Sequence, residues 1–453
     1  MQEDKTMANR TDTLLSRFRA AENEIDDRLR HTIRYDRTGR GEITVVDKDG
    51  HPVENARIHV TLRDHDFKLG ANIFMLDEFE SAEKNRIYRD VFANTFNLAT
   101  VPFYWSDLEP EEGKPRFAKD SPRVYRRPAP DLCLEYCEER GITPKCHCLN
   151  YDVWTPLWVP DDTDSVKRAL EKRIRECAER YRDRIPGWEV TNELFCGKYD
   201  VFAQGRKSTQ FFTDPDVVEW SFDCARRYLP NNELIINEAS HAWTSAFCWQ
   251  RGQYYAQIER ALDRGAPIDA LGIQFHMFCR AENEERETKP YYNPAHLWNV
   301  METYARLGLP QQITEITIPC YTDGEADEAL QAEILTYLIK IWFGNPAMEA
   351  CIYWNVVDGY AAFAPQGDMT AGENYYRGGL MRFDMTPKPA FHALHRLFHE
   401  TWHTDETMDA PAGYASFRGF YGKYDCTVSA DGVEKTVPLH LTKKSGNRFR
   451  IVL

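Results

Sequence analysis

The chain has 453 residues, 42% apolar and 28% charged, the balance of a soluble globular protein with room for one large catalytic domain and a smaller accessory unit. A net charge of −15 repels nucleic acid and anionic membranes and so argues against both as partners. No stretch approaches the roughly 20 apolar residues of a membrane span, and an aromatic fraction of 13%, with 11 Trp and 23 Tyr, offers flat faces for sugar rings.

Residues 1–38 read as an N-terminal helical segment, with a charged helix over 11–35. Residues 1–10 are polar and carry no apolar leader core, so a cytoplasmic location is expected, or a secreted or periplasmic one if a leader has been removed. Residues 39–66 read as a β-hairpin turning at Asp49-Gly50, after which Ala56, Ile58, Val60 and Leu62 alternate with polar residues. From Phe67 strands alternate with helices. Strands are expected near 67–73, 94–100, 143–149, 187–192, 233–238, 270–276, 311–316 and 350–354. The clearest helix covers 164–183, where Val166, Leu170, Ile174, Cys177 and Tyr181 make one apolar stripe. Eight such repeats over 67–402 predict a (β/α)8 barrel. Past Trp402 the helical period ends. Residues 403–453 predict a small accessory β-sandwich with strands at 420–428, 437–441 and 449–453, completed by the 39–66 segment and serving as structural support, with carbohydrate binding as the alternative.

The 12 Cys show neither CxxC pairs nor Cys/His metal spacing, so buried reduced thiols are expected, with no metal and no organic cofactor. Cys146 and Cys148 alternate on a strand, and Cys133 and Cys137 share a helix face.

The chemistry concentrates at strand ends. Gly187-Trp188-Glu189-Val190-Thr191-Asn192-Glu193 is an apolar run closed by an amide and a carboxylate. Gln311-Gln312-Ile313-Thr314-Glu315-Ile316 is a second run carrying a Glu near its end. In a barrel of this kind the carboxyl ends of the strands floor the active site. Two carboxylates on separate strand ends are what glycoside hydrolysis needs, one to protonate the leaving oxygen and one to attack the sugar or activate water.

These segments resemble glycoside hydrolase family 10, the retaining endo-xylanase family. The resemblance covers about residues 67–400, with its motifs in order. Trp188 to Glu193 is similar to the acid/base segment, which implies Glu193 as proton donor and Asn192 as a ligand of the −1 sugar. Thr314-Glu315 resembles the nucleophile segment. Leu271-Gly272-Ile273-Gln274-Phe275-His276 is similar to the sixth-strand signature, whose Gln and His flank the nucleophile. His147 with Thr155-Pro156-Leu157-Trp158 resembles the third-strand segment, whose His contacts the −1 sugar. Trp354 with Asp358 resembles the eighth-strand Trp, and Pro387-Lys388-Pro389-Ala390 the closing helix. The resemblance implies a carbohydrate substrate, with His147, Asn192, Gln274, His276, Trp354, Trp105 and Tyr151 around it. Glu315 is expected to be ionised, stabilised by His276 and by amide donors such as Asn192.

The departures lie on the glycone side. Where the family presents Glu-Asn and then Lys-Trp after the second strand, this chain has Thr100-Val101-Pro102-Phe103-Tyr104-Trp105. Tyr151-Asp152 replaces a Trp-His pair, and Ala361-Ala362 a Ser-Trp pair. An apolar, aromatic −2 wall is therefore expected. The loops at 279–293 and 374–377 are candidates for further cleft walls. A retaining β-glycosidase on xylan-type or related plant or algal glycans is the reading. Exo-acting or non-xylan specificity, or a catalytically silent glycan-binding protein, are the alternatives.

Overall fold

The computed structural model describes residues 2–195, 208–244, 252–444 and 446–453. Fifteen strands follow in order: β1 (Thr38–Val46), β2 (Glu54–His65), β3 (Lys68–Asn72), β4 (Leu98–Pro102), β5 (Thr143–His147), β6 (Gly187–Asn192), β7 (Glu233–Glu238), β8 (Ala270–His276), β9 (Gln311–Thr317), β10 (Met348–Tyr353), β11 (Asp405–Ala412), β12 (Tyr414–Phe420), β13 (Gly422–Ala430), β14 (Val433–Leu441) and β15 (Arg448–Val452). Strands β3 to β10 close into an eight-stranded barrel, each pairing in parallel with its sequence neighbour and β10 with β3. The expected (β/α)8 barrel is present, with helices packed around it.

The strand expected near 94–100 starts later. The helix Ala82–Thr95 runs through its first residues, and Asn97 then breaks the chain. The Asn97 side chain accepts from the Leu69 N–H at 2.9 Å and donates to Asp64, His65 and Phe67. An amide that satisfies four backbone or side-chain groups at a turn is worth more there than inside a strand.

The N-terminal segment is two helices, Gln2–Ala20 and Glu22–Thr32, rather than one. They lie on the barrel: Phe18 stacks on Tyr337 at 5.1 Å and the Arg28 guanidinium sits 4.2 Å over Trp298. Arg37 then enters the barrel wall, donating to the carbonyls of Phe343, Asn345 and Met348.

The 39–66 segment does not form a hairpin. β1 pairs with β12 and β15, while β2 pairs with β11 and β13, so the two strands belong to opposite sheets, ordered β12-β1-β15 and β11-β2-β13-β14. Each has one buried face, Ile43 and Val45 on β1 and Ala56, Ile58, Val60 and Leu62 on β2. Separating them lets those faces meet across a sandwich core. β11 and β12 are strands that the sequence pattern did not disclose. The ten described cysteines are buried and unpaired, and no described helix is long and apolar enough to cross a membrane.

Candidate active site

Parallel strands all deliver their carboxyl ends to one mouth of the barrel. There a cleft of about 540 Å³ is lined by the carboxyl ends of all eight barrel strands and the loops that follow them. Gln274 on β8 is its centre. Its Nε2 donates to Glu193 Oε1 at 2.7 Å and to Glu315 Oε1 at 3.0 Å. Two such bonds from one nitrogen hold the two carboxylate oxygens within about 6 Å of each other, in the range of a retaining pair and below that of an inverting one.

Glu315 is buried, and its partners differ from the expected set. His276 Nε2 lies 3.0 Å from Oε2, with the other ring nitrogen 2.9 Å from Thr317 Oγ1. Asn237 Nδ2 lies 3.4 Å from Oε1. Asn192 is not a donor to Glu315. Its Oδ1 accepts from Asn237 at 2.7 Å, and its buried Nδ2 is unbonded. Asn237 fits between Asn192, Thr314 and Glu315 because Gly272 faces it: a Cβ there would come within 2.5 Å of Asn237 Oδ1. Glu193, just past the end of β6, also accepts from the Tyr151 hydroxyl.

Electrostatics separate these groups. Burial pushes the Glu315 carboxyl up to about 8, with the His147 charge pulling down and the Glu193 charge adding. The expectation of a simply ionised Glu315 is therefore corrected: desolvation outweighs its donors. Burial pushes His276 down to about 4, so its ring is neutral at pH 7. His147 is set differently. Burial opposes its charge, but Glu189 beneath it holds the ring above the ordinary histidine value. Burial also opposes the Glu189 carboxylate, which Lys145 and His147 nevertheless bring down to about 2. The other His147 nitrogen meets the Tyr104 hydroxyl at 2.9 Å.

Aromatic rings make the walls. Phe74, Tyr104, Trp154 and Trp354 form one buried cluster, with Tyr151 packed against it. Trp354 stands 5.6 Å from His276 and 5.8 Å from His147, edge to face. Phe363, 65% exposed, and Phe278 continue the walls toward solvent.

Seven of the sequence-selected residues, His147, Tyr151, Glu193, Gln274, His276, Glu315 and Trp354, line this cleft. Asn192 sits beneath it. Trp105 does not reach it. It opens the short helix Trp105–Leu108, packs edge-on to Trp158 and bonds Glu109. Tyr104, one residue earlier, takes the cleft position because the chain turns into a helix there. Of the two candidate loops, Phe278 and Glu373 border the cleft rather than residues 279–293 or 374–377.

The sequence reading missed Asn237, Glu238, Arg126 and Arg127. The first two close an apolar run, Leu234-Ile235-Ile236-Asn237-Glu238, with the same amide-carboxylate ending as Asn192-Glu193, so that pattern could have found them. Burial pushes Glu238 up to about 8 even though the Ala239 and Phe195 amides donate to it. Arg126 and Arg127 come from the long connection after β4, which has no periodic pattern to flag them. Among the described residues, metal-ligand spacing occurs at Asp47, Asp49 and His51, in the turn after β1 and not in the cleft.

The family profile described as "Glycosyl hydrolase family 10" matches residues 67–396. Anti-sigma-I factor RsgI6 of Acetivibrio thermocellus is 23% identical, over 89% of this chain and 47% of its own length. Endo-1,4-beta-xylanase B of Neocallimastix patriciarum is 24% identical, over 60% of this chain and 29% of its own. The chain thus spans less than half the length of these two relatives. Endo-1,4-beta-xylanase B of Thermotoga neapolitana is 25% identical, over 77% of this chain and 90% of its own. Among solved structures, xylanase 10B from Thermotoga petrophila RKU-1 in complex with xylobiose superposes with a TM-score of 0.55 at 22% identity, covering 74% of this chain and 95% of that one. That likeness is one of fold.

Proposed function

Because the chain belongs to glycosyl hydrolase family 10, we propose that its cleft hydrolyses a β-linked glycan by double displacement, with Glu315 as nucleophile and Glu193 as acid/base. The observation that carries this reading is the Gln274 amide spanning both carboxylates at 2.7 and 3.0 Å. A spacing of that size leaves no room for a water between sugar and carboxylate, so the carboxylate itself attacks.

At neutral pH Glu315 holds a proton that burial keeps from leaving. When a sugar occupies −1, positive charge grows at its anomeric carbon and favours an ionised Glu315. The proton then belongs on Glu193, beside the departing oxygen. Once the glycosyl bond to Glu315 forms, its charge is gone and Glu193 can take a proton from water. The neutral His276 ring and the Asn237 amide keep the Glu315 carboxylate in one orientation. The unbonded Nδ2 of Asn192 suits a sugar hydroxyl, since a buried donor without a partner costs about 1–3 kcal/mol until a ligand satisfies it.

The substrate is a carbohydrate of the xylan type or a related plant or algal glycan. The aromatic wall of Phe74, Tyr104 and Trp154, where the family grips −2 with polar groups, favours decorated or non-xylan chains over plain xylan. The test is a leaving-group series on Glu193→Ala. Aryl β-glycosides with acidic phenols should keep a fast first step, poor leaving groups should not, and azide should restore turnover as the β-glycosyl azide. Equal losses for all leaving groups, with no azide product, would remove Glu193 from its role.

A further inference from the structure

The wall expected to be purely apolar carries two guanidinium groups. Arg126 and Arg127 reach the cleft from the connection between β4 and the helix Pro130–Arg140. Arg126 is 2% exposed. It is held by two neutral acceptors on the far side of the barrel seam, the Tyr360 carbonyl and Asn355 Oδ1, the latter at 2.9 Å. Its Nε is buried and bonded to nothing, and among the described residues no carboxylate forms an ion pair with it. Asn355, which accepts from Arg126, donates its Nδ2 to the Glu373 carboxylate at 3.1 Å.

Arg127 stacks its guanidinium 4.0 Å over Tyr104 and 4.8 Å over Trp154. Its Nε is tied to Asp107 at 2.9 Å and its Nη1 to the Arg126 carbonyl, which leaves Nη2 without a hydrogen bond on a residue that lines the cleft.

Buried charges are ordinarily paired and fully hydrogen-bonded, because an uncompensated one costs several kcal/mol. A purely structural clamp would account for the bonds to Tyr360, Asn355 and Asp107. It leaves unexplained the orphaned Nε of Arg126 and the open edge of Arg127, both beside a substrate cleft. A planar guanidinium with a free edge matches the two oxygens of a carboxylate or sulfate. The stacking on Tyr104 fixes that edge in place and keeps the charge when the site is empty.

We propose that this wall binds an acidic sugar: the glycan cleaved here carries a carboxylate or sulfate ester on its glycone side, held by Arg126 and Arg127. The proposal rests on the hydrolase reading above and names the substrate class of that same site. The overall charge of −15 does not oppose it at contact range, since charges beyond about 8–10 Å are screened at physiological salt. Glu373, which bonds Trp354 Nε1 and Asn355, is the cleft carboxylate that such a group would face, and Asn355 stands between Glu373 and Arg126.

The experiment compares matched pairs of xylo-oligosaccharides: a uronosyl-substituted chain against its carboxyl-reduced form, and a sulfated chain against its desulfated form. The ratio of kcat/KM, charged over neutral, is read for the wild type, Arg127→Gln and Arg126→Gln. Binding of the same pairs to Glu315→Gln is measured by calorimetry. One recovered charge-assisted contact predicts a wild-type ratio of about ten- to a hundredfold, falling toward unity in the Gln variants. A preference for the uronate assigns carboxylate, and a preference for the sulfated chain assigns the ester. Cleavage of charged and neutral partners at equal rates overturns the proposal and spares the hydrolase. Tighter binding of charged chains with no cleavage of any substrate keeps the acidic-sugar site at Arg126 and Arg127 and overturns the hydrolase. Because the wild-type pairs alone decide between these, misfolding of an Arg variant does not rescue the idea.

Discussion

The barrel carries the same polar device at both of its mouths. At the carboxyl-end mouth Gln274 joins Glu193 to Glu315. At the amino-end mouth Gln312 Nε2 joins Glu233, at 3.3 Å, to Glu349, at 2.8 Å. Burial and the Glu349 charge push Glu233 up to about 8, and burial raises Glu349 as well, much as burial does for Glu315. Electrostatics of the pair alone therefore do not distinguish a catalytic site. The surroundings do. The lower pair opens on a space of about 300 Å³ lined by Lys68, Lys145 and aliphatic groups, with no aromatic ring among its described residues. The upper pair faces seven rings, a neutral histidine and an unbonded amide. Two buried glutamates bridged by an amide become a glycosidase site when a sugar-shaped aromatic cleft and oriented donors stand over them.

The most direct way to break the comparison is to remove one carboxylate from each mouth. Glu315→Gln should cost about 10⁴-fold or more in kcat on any aryl β-glycoside, since no other group forms the glycosyl bond. Glu233→Gln should leave kcat/KM within about twofold. Comparable losses at the two ends would mean that the upper pair has no privileged role. The bridging amides give a second, smaller contrast. Gln274→Ala removes one donor from the charge that changes during catalysis and should cost about 10²-fold in kcat. Gln312→Ala, read in the same assay, should cost almost nothing.

The sequence made one of these mouths legible and left the other hidden. Glu193 and Glu315 stand at or near the carboxyl ends of apolar runs, and the polarity of parallel strands sends such residues to the functional mouth. Glu233 and Glu349 stand at the start of β7 and β10, where a Glu before an apolar run reads as an ordinary strand boundary. Barrel strands were readable because they are buried on both sides and nearly all apolar. The outward connection at 109–129 was not, because Arg126 gets its meaning from Tyr360 and Asn355, more than 200 residues away. The same long-range dependence hid the strand order of the expected sandwich: β1 and β2 look like a hairpin locally, and only β12, β13 and β15 from the far end of the chain separate them. Trp105 misled for the opposite reason, since the residue type fitted the motif while the chain turned one position too early.

The last contrast is in stability and is the smallest. Both Glu315 and Glu233 keep a proton up to about pH 8 in the fold, whereas an unfolded Glu releases it near 4.3. A raised carboxyl contributes stability that is fully present below the unfolded value and lost as pH climbs through the folded one. The enzyme without ligand should therefore lose stability between about pH 4.3 and 8 from both mouths. For the fully buried Glu315 the total is on the order of 3 to 5 kcal/mol. Glutamine does not titrate, so Glu315→Gln and Glu233→Gln should each flatten the fall of Tm over pH 5 to 8.5. A cationic iminosugar bound at −1 sharpens the distinction. Its ammonium pairs with ionised Glu315 and should flatten the upper contribution alone, leaving the slope that Glu233→Gln removes. A Tm profile in which the iminosugar and Glu233→Gln remove the same part of the slope, rather than adding, would show that the two mouths titrate as one unit and that the separation between them is wrong.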